Sequence, residues 1–132
     1  MQATLNGERT LTELDFARLT QRDGQLPVEL RDHCKVFSLV PPREVPADIV
    51  TMNSQLEIVD TRSRRSQRLT ICYPADAVPN LGCISVLSPV GAALIGQRLG
   101  AIARWRTPHG DECSAEIAAV WCQPEASGDY RI

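Results

Sequence analysis

The chain has 132 residues, of which 23% are charged and 43% are apolar, and its formal net charge is −2. This length allows one domain with a hydrophobic core, or a small domain with an appendage, and the composition favours a folded soluble protein over a disordered one. So small a net charge gives no sign of bulk nucleic-acid binding, and any electrostatic contact must be local. The residues after Met1 include no apolar run long enough for a signal peptide or a membrane span, so we expect a cytoplasmic protein.

The first third of the chain, residues 1–45, predicts a short antiparallel helical hairpin followed by a Pro-rich connector. Thr12 is a suitable N-cap for a helix from about Glu13 to Arg22, because its hydroxyl can accept a backbone N–H of the first turn. A second helix would begin near Pro27 and run to about Ser38. The connector that ends this second helix contains three prolines, Pro41, Pro42 and Pro46.

The turn between the two predicted helices contains Asp23, and Glu29 follows a few residues later. Two carboxylates side by side could share a magnesium ion, but these two are not adjacent, and the pattern is more typical of solvent-exposed turn acids. The five cysteines form no C-x-x-C pair, and the two histidines, His33 and His109, are far apart in the sequence. We therefore predict no metal ion and no cofactor.

The rest of the chain, residues 46–132, contains several segments in which apolar and polar residues alternate. These segments predict strands within residues 55–59, 67–73, 84–87, 101–106 and 112–122. Hairpins would join most of them, which predicts an α+β protein whose antiparallel sheet curls over one short helix. The connection between the first two strands carries the feature that we name the arginine cluster, Arg62, Arg64, Arg65 and Arg68.

The short helix is predicted to begin at Ser88-Pro89. Serine is a good N-cap, and proline suits the next position because the missing N–H has no partner there in any case. The helix would contain the apolar run from Val90 to Ile95, and Gly96 can adopt the left-handed conformation that ends a helix.

This central region also carries a family resemblance. The run Ile84-Ser85-Val86-x-Ser88-Pro89-Val90-Gly91-Ala92-Ala93-Leu94-Ile95-Gly96 resembles the C-terminal domain of the bacterial transcript-cleavage (Gre) factors, and the wider match is closer to the Rnk proteins, named as regulators of nucleoside diphosphate kinase. The resemblance covers residues 46–132 in register and residues 11–45 only loosely. Three further stretches match in order: Val50-Thr51-Met52-Asn53-Ser54, Thr70-x-x-Tyr73-Pro74 and Gln123-Pro124-Glu125-Ala126-x-Gly128-Asp129-Tyr130.

The resemblance implies an FKBP-like fold for residues 46–132 and a docking site on the rim of the RNA polymerase secondary channel. It implies that the docking corner is formed by Leu87, Ser88, Pro89 and Val90. In the cleavage factors a basic surface lies near nascent RNA, so the arginine cluster could contact nucleic acid or an acidic protein surface; the alternative is a hairpin kept soluble by its charge. A prolyl isomerase is not favoured, because the chain has few aromatic residues to line an apolar pocket.

Three functions remain open from the sequence. The first is a monomeric, non-enzymatic transcription regulator that occupies the secondary channel of RNA polymerase and competes with longer Gre-type factors. The second is a transcript-cleavage cofactor that uses Asp23 and Glu29 with magnesium. The third is a binding module for another partner, such as nucleoside diphosphate kinase. The predicted hairpin is much shorter than the coiled coil of the cleavage factors, and it lacks their paired tip acids, so we favour the first.

Overall fold

Strands outnumber helices in the computed structural model of this protein, which describes residues 8–21, 27–31 and 36–127. The elements in chain order are β1 (Glu8–Thr12), α1 (Glu13–Leu19), α2 (Val28–Arg31), β2 (Val36–Val40), β3 (Gln55–Asp60), β4 (Ser66–Cys72), β5 (Cys83–Ser85), α3 (Pro89–Leu94), β6 (Ile102–Arg106) and β7 (Glu112–Cys122). The α+β prediction is confirmed. None of the described helices is long and apolar enough to cross a membrane.

The larger sheet contains five strands in the order β5-β4-β3-β7-β6. Its strands lie where the alternating segments predict them, and three of its four strand pairs are antiparallel. The pair β4–β5 is parallel, so the sheet departs from the predicted antiparallel arrangement at this edge. The cause is the connection from Tyr73 to Gly82, which contains two 3-10 turns that start at Pro74 and Pro79 and return the chain to the end where β4 began.

Helix α3 lies against this sheet, and Gly91, Ala92, Ala93 and Leu94 are buried there. The backbone of Gly91 passes so close to β5 that an added Cβ would lie 2.9 Å from the Cα of Val86 and closer still to the carbonyl oxygen of Ser85. Only glycine fits at this position, because real Cβ atoms essentially never approach other atoms so closely. Gly91 therefore lets α3 lie directly against the end of β5.

The described N-terminal residues form two strands and two short helices in the order β1-α1-α2-β2. Thr12 caps α1 as predicted, and its hydroxyl accepts the N–H of Asp15 at 3.0 Å. The second predicted helix is wrong over residues 36–38, because Val36–Val40 is a strand that pairs in parallel with β1. The β-branched and aromatic side chains of this segment suit a strand, whereas the spacing of Leu30 and Phe37 suggested a helix. Residues 22–26 and 32–35, where the rest of the predicted hairpin falls, lie outside the described residues.

One hydrophobic core includes residues from both parts of the chain. Leu11, Leu19 and Leu30 of the N-terminal unit pack in the same cluster as Leu56, Ile71, Leu94 and Ile117. Strand β1 runs directly over the end of α3, where the N–H of Thr10 donates to the carbonyl oxygen of Gly96 at 3.0 Å. Gly96 has a φ of +79°, and a Cβ there would lie 3.0 Å from the carbonyl oxygen of Thr10, so this crossing also requires glycine.

Candidate contact surfaces

The corner between β5 and α3 is fixed by hydrogen bonds of two serine side chains. The Ser88 hydroxyl accepts the N–H of Gly91 at 3.1 Å and donates to the carbonyl oxygen of Ser85 at 2.7 Å. The Ser85 hydroxyl accepts the N–H of Leu87 at 3.0 Å. The sequence prediction of a Ser88 cap with Pro89 at the first helical position is confirmed.

The four predicted contact residues of this corner differ in exposure. Pro89 is exposed, whereas Leu87, Ser88 and Val90 are half-buried. Leu87 and Val90 also pack against the hydrophobic core, so they connect the corner to the interior of the protein. The corner therefore presents a small, partly apolar surface whose shape is set before any partner arrives.

The arginine cluster begins in the turn between β3 and β4. The carboxylate of Asp60 accepts the N–H groups of Arg62 and Ser63, both at 2.8 Å, and Arg64 occupies the left-handed region with a φ of +61°. These hydrogen bonds, first from Ser63 and then from Arg62, lower the pKa of Asp60 below its ordinary value of 3.8. All four arginines of the cluster are exposed, but Arg68 lies within β4 and not in the turn.

Arg68 lies over an aromatic ring that the sequence analysis did not select. Its guanidinium carbon is 4.8 Å from the ring centre of Trp121, and its Nε is 3.9 Å from a carboxylate oxygen of Glu57. Together with Leu81 and their neighbours, Arg68 and Trp121 line a surface cleft of about 250 Å³, which we name the Trp121 cleft. Trp121 is 55% exposed and Leu81 is 75% exposed, which is unusual for residues of this size.

A second cleft, which we name the Trp105 cleft, lies at the other end of the sheet. It has a volume of about 380 Å³, and its lining includes Trp105 and the arginines Arg62, Arg104 and Arg106. Arg106 makes a 2.8 Å ion pair with Glu112, which also lines this cleft. No local sequence pattern reveals this convergence, because strand pairing between β6 and β7 and the position of the β3–β4 turn create it.

Of the two candidate tip acids, the structure describes only Glu29. Glu29 is an exposed residue of α2, and Asp23 lies outside the described part of the chain. Among the residues that the structure describes, no group of three or more His, Cys, Asp or Glu side chains is arranged to hold a metal ion. Burial, and then the neighbouring Cys83, raise the pKa of the Cys72 thiol to about 11, which keeps it protonated at neutral pH.

Sequence reasoning also missed two buried charged residues of the N-terminal unit. The Asp15 carboxylate accepts the N–H of Met52 at 3.1 Å and the hydroxyl of Tyr73 at 3.3 Å. The guanidinium of Arg9 donates to the carbonyl oxygen of Ala92 at 2.6 Å and to that of Ile95 at 3.3 Å. These contacts attach the N-terminal unit to β4, α3 and the segment before β3, and no local pattern identifies them.

The sequence is similar to known proteins over most of its length. Residues 45–121 match the family model described as "Transcription elongation factor, GreA/GreB, C-term". The chain is 39% identical over 91 residues to the regulator of nucleoside diphosphate kinase of Escherichia coli (strain K12), a match that covers 69% of this chain and 67% of that protein. It is 35% identical over 101 residues to the transcription elongation factor GreA of Clostridium botulinum (strain Langeland / NCTC 10281 / Type F), covering 75% of this chain and 62% of GreA.

Solved structures are also similar to this chain. The GreA/GreB elongation factor from Nitrosomonas europaea superimposes with a TM-score of 0.69 at 31% identity, covering 86% of this chain and 97% of that one. The GreA factor homolog 1 (Gfh1) of Thermus thermophilus shares the fold, with a TM-score of 0.51 at 18% identity over 87% of this chain and 99% of that one. These matches define a protein with the C-terminal domain of a transcription elongation factor. The chain belongs to the GreA/GreB family.

Proposed function

We propose that this protein binds RNA polymerase and regulates transcription without enzymatic activity, by occupying the secondary channel in competition with longer Gre-type factors. Residues 46–132, with an FKBP-like fold, would dock on the rim of the channel through Leu87, Ser88, Pro89 and Val90. The short excursion between β1 and β2 would enter the channel without reaching the active centre. The proposal places the protein in the cytoplasm, where RNA polymerase works.

The observation that carries this proposal is the short excursion between β1 and β2. Because these two strands pair with each other, the chain between them leaves the sheet and must return to it within residues 13–35. Leu19 and Leu30 of this excursion are buried in the hydrophobic core, which leaves few residues free to project. Even if every residue of the excursion were helical, a segment that went out and back would extend only roughly 17 Å, at 1.5 Å per residue. Such a short segment would not carry a catalytic group deep into a channel.

The corner supports the docking part of the proposal. A contact surface that is already ordered loses little conformational entropy on binding. The two serine side chains and the closely packed Gly91 supply this order at the corner. Pro89 is the one exposed member of the four and would make the central contact.

The first experiment is size-exclusion chromatography of the purified chain with core RNA polymerase, followed by competition with a full-length Gre factor. We expect co-elution, and displacement of the Gre factor as the concentration of this protein rises. Failure to bind polymerase, together with capture of nucleoside diphosphate kinase from a defined mixture, would assign the protein to the alternative binding function.

A paired variant locates the contact. We expect Ser88→Ala with Pro89→Ala to weaken polymerase binding, while the lost cap costs only about 1 kcal/mol of folding stability. Ser66→Ala with Pro108→Ala is the matched control, because both of these residues are exposed and lie outside the corner. Equal binding by a folded corner variant and by the control would show that the corner is only architectural.

The cleavage alternative has its own test. A cofactor that holds magnesium through Asp23 and Glu29 would lose transcript cleavage by orders of magnitude in the Asp23→Asn, Glu29→Gln variant, because those charges would act directly on the transition state. We expect no cleavage of backtracked RNA by either protein, and equal competition by both. Cleavage by the parent chain that disappears in the variant would overturn the occupancy mechanism.

A further inference from the structure

We propose that β6 is a docking edge, on which an extended, acidic segment of a partner protein adds a sixth strand to the larger sheet. The segment would pair with β6 through its backbone, and its acidic side chains would lie beside Arg104 and Arg106. The inference goes beyond the proposed docking on polymerase, because it uses no residue of the Ser88 corner. The two proposals can therefore fail separately.

The position of β6 in the sheet is the first reason. Among the described strands, β6 and β5 form the two edges of the five-stranded sheet. β5 has only three residues, whereas β6 has five and pairs with β7 over its whole length. An edge strand presents backbone N–H and C=O groups on the side away from its neighbour, and an extended chain can pair with them. β6 is the longer of these two edges.

The hydrogen bonds at both ends of β6 show which of its residues face outward. The carbonyl oxygen of Ala101 accepts the N–H of Ile117, and the N–H of Thr107 donates to the carbonyl oxygen of Asp111, each at 2.9 Å. Because hydrogen-bonded pairs alternate along an antiparallel ladder, the odd positions between these ends bond to β7. The N–H and C=O groups at the even positions point away from the sheet and have no backbone partner among the described residues. These positions are Ile102, Arg104 and Arg106.

The side chains at these three positions favour an acidic partner strand. All three are exposed. Arg106 pairs with Glu112 at 2.8 Å, whereas Arg104 makes no ion pair within the described residues. Opposite charges on neighbouring strands stabilise a sheet, so acidic residues are favoured beside the two arginines. Both arginines also line the Trp105 cleft, whose volume of about 380 Å³ leaves room for acidic side chains.

The opposite face of β6 favours apolar residues in the added strand. Ala103 is fully buried, and Trp105 is half-buried and packs against the hydrophobic core. Side chains of a strand alternate between the two faces of a sheet. A segment in which acidic and apolar residues alternate would therefore match both faces of β6.

A second copy of this chain fits the edge less well. Arg104 is the middle residue of β6. If two β6 strands paired antiparallel with full overlap, Arg104 of one copy would lie directly opposite Arg104 of the other. Like charges in that arrangement destabilise a sheet, which is one way in which charged edge residues prevent self-association.

The test uses a fluorescently labelled, capped nine-residue peptide in which glutamate and valine alternate. The peptide is titrated with the full chain at low salt, and fluorescence anisotropy measures binding. A peptide of the same composition with its glutamates in one block is the control for charge alone. We expect saturable binding of the alternating peptide, and binding of the block peptide that is weaker by about tenfold or more, because charge alone gives only weak association.

Methylated peptides test the backbone pairing. One carries a methyl group on every glutamate nitrogen, and the other carries one on every valine nitrogen. Because only one edge of the peptide faces β6, one of these peptides should lose binding and the other should keep it. Binding of both as tightly as the parent peptide would mean that no backbone hydrogen bonds form.

Variants of the chain test the same contact from the other side. Ile102→Pro removes one outward N–H at an edge position, where proline is tolerated, and should weaken binding about fivefold. Ile102→Val keeps that N–H and is the matched control. Arg104→Gln should weaken binding and lower its dependence on salt, whereas Arg65→Gln, an exposed arginine outside the Trp105 cleft, should change neither. Thermal unfolding checks that each variant is folded, and the methylated peptides serve where the proline variant is not.

Amide hydrogen exchange gives the most specific readout. Peptide binding should slow the exchange of the three outward N–H groups, at Ile102, Arg104 and Arg106. The N–H groups of Ala103 and Trp105 face β7 already, so their exchange should change less. A contact made by side chains alone would not produce this alternation.

Four results would overturn the inference. They are the absence of saturable binding by the alternating peptide, undiminished binding by both methylated peptides, binding without new protection of the three outward N–H groups, and protection of those groups by self-association without peptide. The last result would make a second copy of the chain the occupant of the edge. Because polymerase is absent from these measurements, none of these results bears on the docking corner.

Discussion

The N-terminal unit, residues 8–40, and the five-stranded sheet with α3 contribute to the same hydrophobic core by different means. The sheet buries side chains that alternate along its strands, such as Leu56 and Ile58 of β3. The N-terminal unit buries a few leucines and also two charged residues, Asp15 and Arg9, whose side chains form hydrogen bonds to the other part of the chain. Alternation specifies a strand locally, whereas a buried charge is tolerable only after its distant partner is in position.

The substitution with the largest expected effect on stability is Leu11→Ala in the N-terminal unit. Leu11 is fully buried in the core cluster, so we expect a loss of about 2–5 kcal/mol in the free energy of unfolding, as in the centre of other cores. Leu39→Ala is the matched control, because Leu39 pairs with Leu11 across β1 and β2 but is 43% exposed. Chemical denaturation measures both. Equal and small effects would mean that the N-terminal unit is an appendage that adds nothing to the core.

Gly91→Ala tests the corresponding point in the sheet region. The new Cβ would force α3 away from Ser85 and Val86, and we expect a net loss of about 1–3 kcal/mol and weaker polymerase binding. Gly100→Ala is the control for backbone strain. Gly100 has a φ of +90° but no atom within 4 Å of an added Cβ, so this variant strains the backbone without creating a clash. A Gly91→Ala variant as stable as the parent chain would contradict the close contact.

Tyr73→Phe tests the junction between the two regions, with a smaller expected effect. The lost hydrogen bond to Asp15 should cost about 1 kcal/mol at neutral pH. Burial, and then the Asp15 carboxylate, raise the pKa of Tyr73 above its ordinary value of 10.0. The folded chain therefore keeps the Tyr73 proton at pH values at which the unfolded chain releases it. The free energy of unfolding should fall as pH rises above 10.0, and it should fall less in the Tyr73→Phe variant. Parallel stability–pH curves for the two proteins would refute this linkage.

The smallest effect is expected at the turn that carries the arginine cluster. The pKa of Asp60 lies below its ordinary value of 3.8, so its carboxylate stabilises the folded chain above that pH and loses this effect as pH falls through the lowered pKa. Asp60→Asn keeps an acceptor for the N–H groups of Arg62 and Ser63 but does not titrate. The stability of the variant, monitored by circular dichroism, should therefore fall slightly less steeply as the pH is lowered through this range, and an identical pH dependence in the two proteins would show that the charge itself is unimportant here.

Much of the fold was predictable wherever a signal is local. The strands of the large sheet follow from period-two alternation, and the start of α3 follows from the chemistry of Ser88 and Pro89. Strand β2 was mispredicted because a five-residue apolar segment is compatible with either a strand or a helix, and only its pairing with β1 decides between them. The parallel β4–β5 pair was missed for a similar reason, since the path of residues 73–82 determines it.

The candidate surfaces also differ in whether their residues are close together or far apart in the sequence. The corner at Ser88 and the turn at Asp60 are built from residues close in sequence, and the Ser88 cap was predicted from the sequence alone. The two tryptophan clefts combine residues from β3, β4, β6 and β7. The hydrogen bonds of the Asp15 carboxylate join residues that are 37 and 58 positions apart in the sequence. By itself the sequence determined the caps, turns and strand faces, because those depend on neighbouring residues. Only the tertiary structure decided which side chains share a cleft or a buried hydrogen bond, because those contacts exist only after the sheet has formed.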